Sequence, residues 1–309
     1  MADLPSRWPT EAPTERRALE RWLLEREEEL ANAIASRLAA LIVRTSNRYL
    51  DSLTQPLTAS GDSAEFDEIP GEWQSIVASE ITPAINSVYL SGSVNAYIGN
   101  PLADEIPELI LDGWIGVVNT QAEDYLAVAT NRIVGIGDEV WAVVRDKVSE
   151  AVATGGTTVE VAEEVQKLVD GGQARARTIA RTEINSAYNN GRRLAADALG
   201  EYGPLEKVWI AVTDARTRDS HRLLDNVVIP WSEMFQAADG PLIAPGDPTG
   251  PASEVVNCRC NLGELYAGMA RPDGSIVGTD DLDPSLRSTQ RTDISDEAWV
   301  YDPWADWSG

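Results

Sequence analysis

The sequence predicts an α+β protein: a mostly helical N-terminal part, then a small mixed α/β unit, then an acidic tail. Apolar residues recur at helical spacing over residues 15–54 and again, in segments, from 72 to 170. Short aromatic and β-branched runs bounded by turn residues appear only after residue 200. Beyond 270 the chain is acidic, with Trp299, Trp304 and Trp307 standing among Asp and Glu.

A length of 309 residues suits about two domains, and 43% hydrophobic residues suffice for a sizeable core. Fifty acidic residues against 25 basic ones give a net charge of −25. Non-specific nucleic-acid binding rests on neutralising phosphates with Lys and Arg, so DNA repels such a chain as a whole. Protein partners are favoured, and any contact with DNA is confined to a local basic patch. Met1 to Thr14 is polar and Pro-rich, without the apolar centre of a signal peptide, and no apolar stretch is long enough to span a bilayer. Synthesis in the cytoplasm, with no membrane partner, is the expectation. Two cysteines supply no disulfide framework.

The elements follow in order. Over residues 1–54, Leu19, Leu23, Leu30, Ile34, Leu38 and Leu41 recur three, four or seven apart, with Glu27 to Glu29 between them. This is an amphipathic helix. Packing on its own domain and docking on another chain both account for it. Residues 55–71, rich in Ser, Asp, Pro and Gly, read as a linker. Residues 72–200 read as a helical domain, with helical segments at about 72–98, 103–130 and 136–170. Pro83, Gly92 and Pro101 are expected to break it, and Gly155-Gly156 followed by Thr157-Thr158 to end one helix and start the next. Gly171-Gly172 punctuates the chain before a further helix from about Gln173 to Leu199. On that helix Arg177, Arg181, Asn185, Asn189 and Arg192 lie three or four apart and share a face. Such a stripe suits phosphates or acidic side chains; a solvated face with internal ion pairs accounts for it equally simply.

Residues 201–270 hold the small α/β unit. Trp209 to Thr213 reads as a buried strand, and Val227-Val228-Ile229 as a second that stops at Pro230. Between them lies Asp214-Ala215-Arg216-Thr217-Arg218-Asp219-Ser220-His221, then Leu224-Asp225. After a Pro/Gly-rich loop, Pro241 to Pro251, comes Asn257-Cys258-Arg259-Cys260. The chain's single histidine and both cysteines thus fall in one short unit.

The order Asp214-x-Arg216-Thr217-Arg218-x-x-His221, Leu224-Asp225, Pro245-Gly246-Asp247 and Asn257-Cys258-Arg259-Cys260 resembles the phage Mu F-like head morphogenesis family. Upstream, Ala180-Arg181-Thr182-Glu183 and Asn189-x-Gly191-Arg192 fit the same pattern, so the resemblance covers about residues 174–265. It implies a minor head (minor capsid) protein of a tailed bacteriophage, structural rather than enzymatic. It further implies association with the portal and with capsid or scaffold proteins, assistance to head assembly or DNA delivery, and a place in the virion after synthesis in the host bacterium.

The residues permit two further readings. Cys258 and Cys260, two apart in a strand-like segment, point to one face with Cα atoms about 6.6 Å apart, which strains a disulfide. Two thiolates there suit a soft divalent metal, with His221 and a loop aspartate, Asp214 or Asp225, completing a tetrahedron around one structural Zn²⁺. Buried thiols beside a hydrogen-bonded histidine fit the same residues, and the sequence leaves both open. Alternatively, His221, Asp214 and Arg216 would serve a hydrolase or nucleic-acid-processing enzyme, since His supplies a base near neutral pH and Arg binds phosphate. Yet no nucleophile elbow, Walker loop, dinucleotide fingerprint or HExxH pair occurs. A metal-stabilised interaction module is a third reading. Arg216 and Arg218 join Arg177, Arg181, Asn185, Asn189 and Arg192 as candidates for nucleic-acid or partner contact.

Overall fold

The computed structural model describes residues 13–54, 71–153, 158–212 and 214–278. Helix α1 spans Pro13–Thr54, and its repeat does what the spacing predicts: Leu23, Leu30, Ile34, Leu38 and Leu41 are buried. The proposed linker, 55–71, lies outside the described residues except for Gly71, which is helical, and so does the acidic tail, 271–309, beyond residue 278. Residues 71–76 are helical and pass through a π turn, Val77–Ile81, into α2, Thr82–Ile98. Pro83 therefore does not break the chain's helical course. A proline lacks the N–H that a regular turn would donate, and a widened turn just before it absorbs that mismatch. Pro101 does follow a helix end, as expected.

Three other expected breaks are absent. Gly92 lies inside α2, helix α3 runs unbroken from Glu108 to Ala153 across the expected gap at 131–135, and α4 runs from Thr158 to Asp197 through Gly171-Gly172. Mid-helix glycine costs only about 1 kcal/mol against alanine, which long helices packed on a core offset easily.

The chain forms two compact units. One comprises residues 26–86 and 124–180. Its core holds Leu30, Ile34, Leu38, Trp73, Val77, Ile81, Ile85, Ile133 and Ile179. There Trp73 Nε1 donates to the Ile133 carbonyl at 3.2 Å, and the Thr82 and Thr130 hydroxyls meet at 2.9 Å. The other comprises residues 1–25, 87–123 and 181–309, and carries all of the β-structure among the described residues. Among the described residues, no helix is long and apolar enough to cross a membrane.

In the second unit, β1 (Glu206–Ile210) is the central strand of a three-stranded antiparallel sheet, β2-β1-β5. Strand β2 is Val228–Pro230 and β5 is Asn261–Leu265; Lys207 stands opposite Ile229 and Glu264, and Trp209 opposite Leu262. Between β1 and β2 lies a short helix, α5 (Asp219–Leu223). Strands β3 (Phe235–Ala237) and β4 (Gly240–Leu242) form a separate hairpin, and α6 (Ala252–Val255) precedes β5. Every residue of β1 and β5 is buried. One face of the sheet carries Trp209, Ala211, Ile229 and Leu262, packed with Leu224, Phe235 and Leu242; the other carries Val208, Ile210, Leu265 and Val277.

The strand begins three residues before the expected Trp209, because the charged pair at its start is buried with partners. Arg271 clamps Glu206 at 2.7 and 2.8 Å. Lys207 Nζ donates to the Ile243 carbonyl at 2.8 Å and lies 5.7 and 5.5 Å from the centres of the Trp231 and Phe235 rings. Burial, followed by the charge of Arg193, lowers the Lys207 ammonium to about 8.

Helices α2 and α4 cross at two glycines. A Cβ on Gly191 would sit 2.1 Å from the Tyr89 carbonyl oxygen, and one on Gly92 would sit 2.3 Å from that of Tyr188. Backbone so close admits no side chain. Gly191→Ala is therefore expected to cost about 1–3 kcal/mol of unfolding free energy through overpacking. Gly171→Ala, exposed and with open space around its Cβ, should instead gain a few tenths to about 1 kcal/mol. Urea unfolding of the two variants checks the opposite signs.

Candidate functional site

The short motifs of the sequence converge where α4, α5 and the approach to β5 meet. His221, on α5, is 1% exposed, and Cys258 and Cys260 are 2% each. The imidazole Nδ1 lies 3.7 Å from Cys258 Sγ and 3.5 Å from Cys260 Sγ. The three ligand atoms fall within 4.8 Å of one another, and among the described residues no other histidine, cysteine or carboxylate joins them. Both thiols are free. Opposite, Nε2 lies 3.0 Å from Glu254 Oε2, although too far off the N–H axis to count as a hydrogen bond. Glu254 is itself held by Ser220 Oγ at 2.9 Å and the Asp239 N–H at 3.0 Å. The Trp209 ring meets the imidazole edge-on at 5.0 Å between centres.

The cysteines lie not in a strand but between α6 and β5, where Asn257 adopts φ 60°. That left-handed turn suits asparagine and aims both sulfurs inward. Thr182 Oγ1 accepts the Asn257 N–H at 3.1 Å, and Arg181 donates to the Asn257 side chain at 3.4 Å. Gly246 (φ 71°) brings the Pro-Gly-Asp turn against α4: its carbonyl accepts Ser186 Oγ at 2.7 Å, and a Cβ there would press on Asn185 and Ser186. Asp247 closes that turn through the N–H groups of Ile243 and Thr249. The two thiols differ in acidity. A hydrogen bond from Cys260 lowers Cys258 despite its burial, whereas burial raises Cys260 well above the usual thiol value.

Asp214 does not belong to this group. Its carboxylate is taken by the Arg259 guanidinium at 2.5 and 2.6 Å and by the Arg216 N–H at 2.9 Å. Asp225 accepts the Ala211 N–H at 2.8 Å. The ligand tetrahedron expected from Asp214, His221, Cys258 and Cys260 is thus reduced to three, because a buried carboxylate already holding a guanidinium has no free charge to offer. The same geometry removes the proposed set of His221, Asp214 and Arg216: His221 faces sulfurs and Glu254, and Asp214 faces arginines.

The polar stripe of α4 is also redrawn. Arg177 is exposed, but Asn185, Asn189 and Arg192 are buried and unavailable to an outside phosphate. Asn189 donates to the Cys260 carbonyl at 3.1 Å and accepts the Leu262 N–H at 2.9 Å, extending β5 onto the helix. Arg192 forms a doubly bonded ion pair with Glu264, with Nε to Oε1 at 2.7 Å. Arg218 donates to the Val256 carbonyl, and the Arg216 side chain, 60% exposed, reaches back to Asp214 Oδ2 at 3.4 Å. Sequence reasoning missed Glu254, Glu264 and Arg259 as partners; opposite charge was the only signal, and charge alone does not say which residues meet.

With this geometry in hand, comparison with known proteins becomes specific. Residues 142–263 match the family described as Phage Mu protein F like protein. That segment is thus similar to Mu F-like proteins. The chain is 32% identical over 161 residues to the Minor head protein GP7 of Bacillus phage SPP1, covering 52% of this chain and 48% of that protein. It is also 26% identical over 180 residues to a protein of Enterococcus faecalis (strain ATCC 700802 / V583) named NAD(+)--arginine ADP-ribosyltransferase EFV, covering 57% of this chain and 33% of that one. The chain spans about half or less of the length of these curated relatives. No solved structure matches it significantly. The Mu F-like match holds α4, the three-stranded sheet up to Gly263 and the whole His-Cys-Cys group.

The Asp214–Arg259 pair yields a pH prediction. Burial alone would raise the Asp214 carboxyl, but hydrogen bonds and the charge of Arg259, with lesser help from Arg216, hold it at about 2 against an ordinary 3.8. A lowered folded-state value stabilises above the unfolded value and fades as pH falls through the folded one. The shift corresponds to about 2 kcal/mol. Urea unfolding should show wild type losing most of that advantage over Asp214→Asn between about pH 4 and pH 2. A difference that stays flat across this range would mean the carboxylate is not held as described.

Proposed function

We propose that this protein is a structural minor component of a tailed-phage head that associates with the portal and assists head assembly or DNA delivery. One observation carries the reading: the 32% identity to a minor head protein through the Mu F-like segment. The site geometry supports a structural role. His221, Cys258, Cys260, Glu254, Asp214 and Arg192 are all buried and committed to neighbours inside the fold, so none faces a cleft where a substrate would react. Charge agrees, since a chain of −25 favours protein partners over packaged DNA. On this reading the protein resides in the phage head, with the portal and the capsid or scaffold proteins as its neighbours.

The amphipathic helix α1 supplies the candidate docking element. Portal protein co-expressed with the full chain should co-purify with it, and deleting residues 1–54 should weaken that association more than deleting 285–309. Undiminished association after both deletions would remove α1 from the role. Mass spectrometry of purified particles and of empty proheads should find the protein in both. Its absence from particles would overturn the head assignment itself.

Purified protein incubated with DNA, RNA or nucleotides, NAD⁺ included, should show no turnover with or without divalent metals. Reproducible cleavage or transfer abolished by His221→Ala but kept by Cys260→Ser would put an enzyme in its place.

A further inference from the structure

We propose that His221, Cys258 and Cys260 hold a single Zn²⁺ ion, with His221 ligating through Nδ1 and Glu254 fixing the imidazole from behind. The site is independent of any role in a phage head.

The argument starts from distances. With Zn–S near 2.3 Å and Zn–N near 2.0–2.1 Å, tetrahedral ligation puts nitrogen and sulfur about 3.6 Å apart. The two observed separations, 3.5 and 3.7 Å, bracket that value. The three ligand atoms, all within 4.8 Å of one another, can therefore face one ion from three sides.

The second step concerns valence. Glu254 places a carboxylate oxygen 3.0 Å from Nε2, outside hydrogen-bond geometry but close enough to favour the tautomer with the ring proton there. Nδ1 is then left with one lone pair, aimed between two sulfurs. One lone pair accepts one S–H donor, so the second thiol can only turn to the first, as Cys260 does toward Cys258. A divalent cation engages all three groups directly, because it accepts the lone pair and two thiolates at once. Its charge also cancels theirs, which matters where all three groups are buried.

The third step is the surround. A carboxylate behind a ligating imidazole is the usual device for orienting the ring and raising its basicity. Glu254 is 2% exposed and pinned by Ser220 and Asp239, so it is itself fixed. Two thiolates and an imidazole favour zinc over magnesium or calcium, which prefer oxygen ligands. Three protein ligands leave the fourth position to a water molecule. The ion would tie α5 to the approach to β5, joining segments about 40 residues apart in a unit whose strands are three to five residues long.

The test uses the full chain purified under reducing conditions without added metal, followed by elemental analysis. One zinc per chain is expected, retained in Asp214→Asn and lost in Cys258→Ser and in Cys260→Ser. Replacing zinc with Co²⁺ in the wild-type protein should produce a thiolate-to-cobalt charge-transfer band, so the outcome does not depend on whether the cysteine variants fold. Glu254→Gln should keep the stoichiometry and the cobalt spectrum while weakening affinity about 10–100-fold in chelator competition. An unchanged affinity would remove Glu254 from its positioning role. Wild-type protein that neither carries zinc nor takes up Co²⁺, or whose mass is two hydrogens short through a Cys258–Cys260 disulfide, would overturn the site.

Discussion

A guanidinium taken out of water must be paired, and much of the Mu F-like unit is arranged around one such pairing. The Arg192 and Glu264 side chains are 1% and 3% exposed. Desolvating two charges costs several kcal/mol each, and only close, doubly bonded geometry offsets it. The pair therefore tolerates little displacement of α4 against β5. Tyr188, one turn earlier, extends the chain of contacts: its hydroxyl lies 3.5 Å from Arg192 Nη1 and accepts Asn95 Nδ2 of α2 at 2.9 Å. Three elements are thus locked by one network, and losing one member would strand the others in an apolar setting. The glycine crossing of α2 and α4 follows from this, since the helices must approach until Tyr188 reaches Asn95.

The strand side obeys the same constraint. Glu264 stands opposite Lys207 in β1, so a one-residue slip of β5 would turn Glu264 away from Arg192 and present Gly263 or Leu265 instead. Asn189 reinforces the register by bonding both the Cys260 carbonyl and the Leu262 N–H. Once β5 is pinned, the residues just before it are positioned as well. That is how Cys258 and Cys260 come to face His221, whose own helix follows β1 by a short loop. The polar stripe on α4 acts as the scaffold on which the sulfur-rich loop is held.

How far the sequence revealed this depends on whether the cause was local. The α1 repeat was legible because helical burial depends on neighbours three and four residues away. β1 and β2 were legible as apolar runs, although Glu206 and Lys207 hid the true start of β1, their partners lying 65 and 36 residues off. The convergence of histidine and cysteines was legible from their crowding into one small unit. The fate of Asp214 was not, because Arg259 is 45 residues away and five other charged residues lie between Asp214 and His221 or just after it. Nor did the α4 stripe disclose its direction. Periodicity places Arg192 and Asn189 on one face but cannot say whether that face meets water or a strand carrying Glu264. Gly171-Gly172 misled for a related reason: a helix interior tolerates glycine when the rest of the helix is packed.

Internal pairing also bears on what the outside of the protein can do. Arg192, Arg271 and Lys207 are cations drawn into the fold, and Arg259 is committed to Asp214. Two of their anionic partners, Glu264 and Glu206, are buried with them, so these pairs cancel internally and leave the net charge of −25 to the remaining groups. These arginines are thereby committed to structure and not to an outside phosphate. A chain of this charge meets protein partners through apolar or complementary charged surfaces more easily than it meets DNA, whose phosphates repel it.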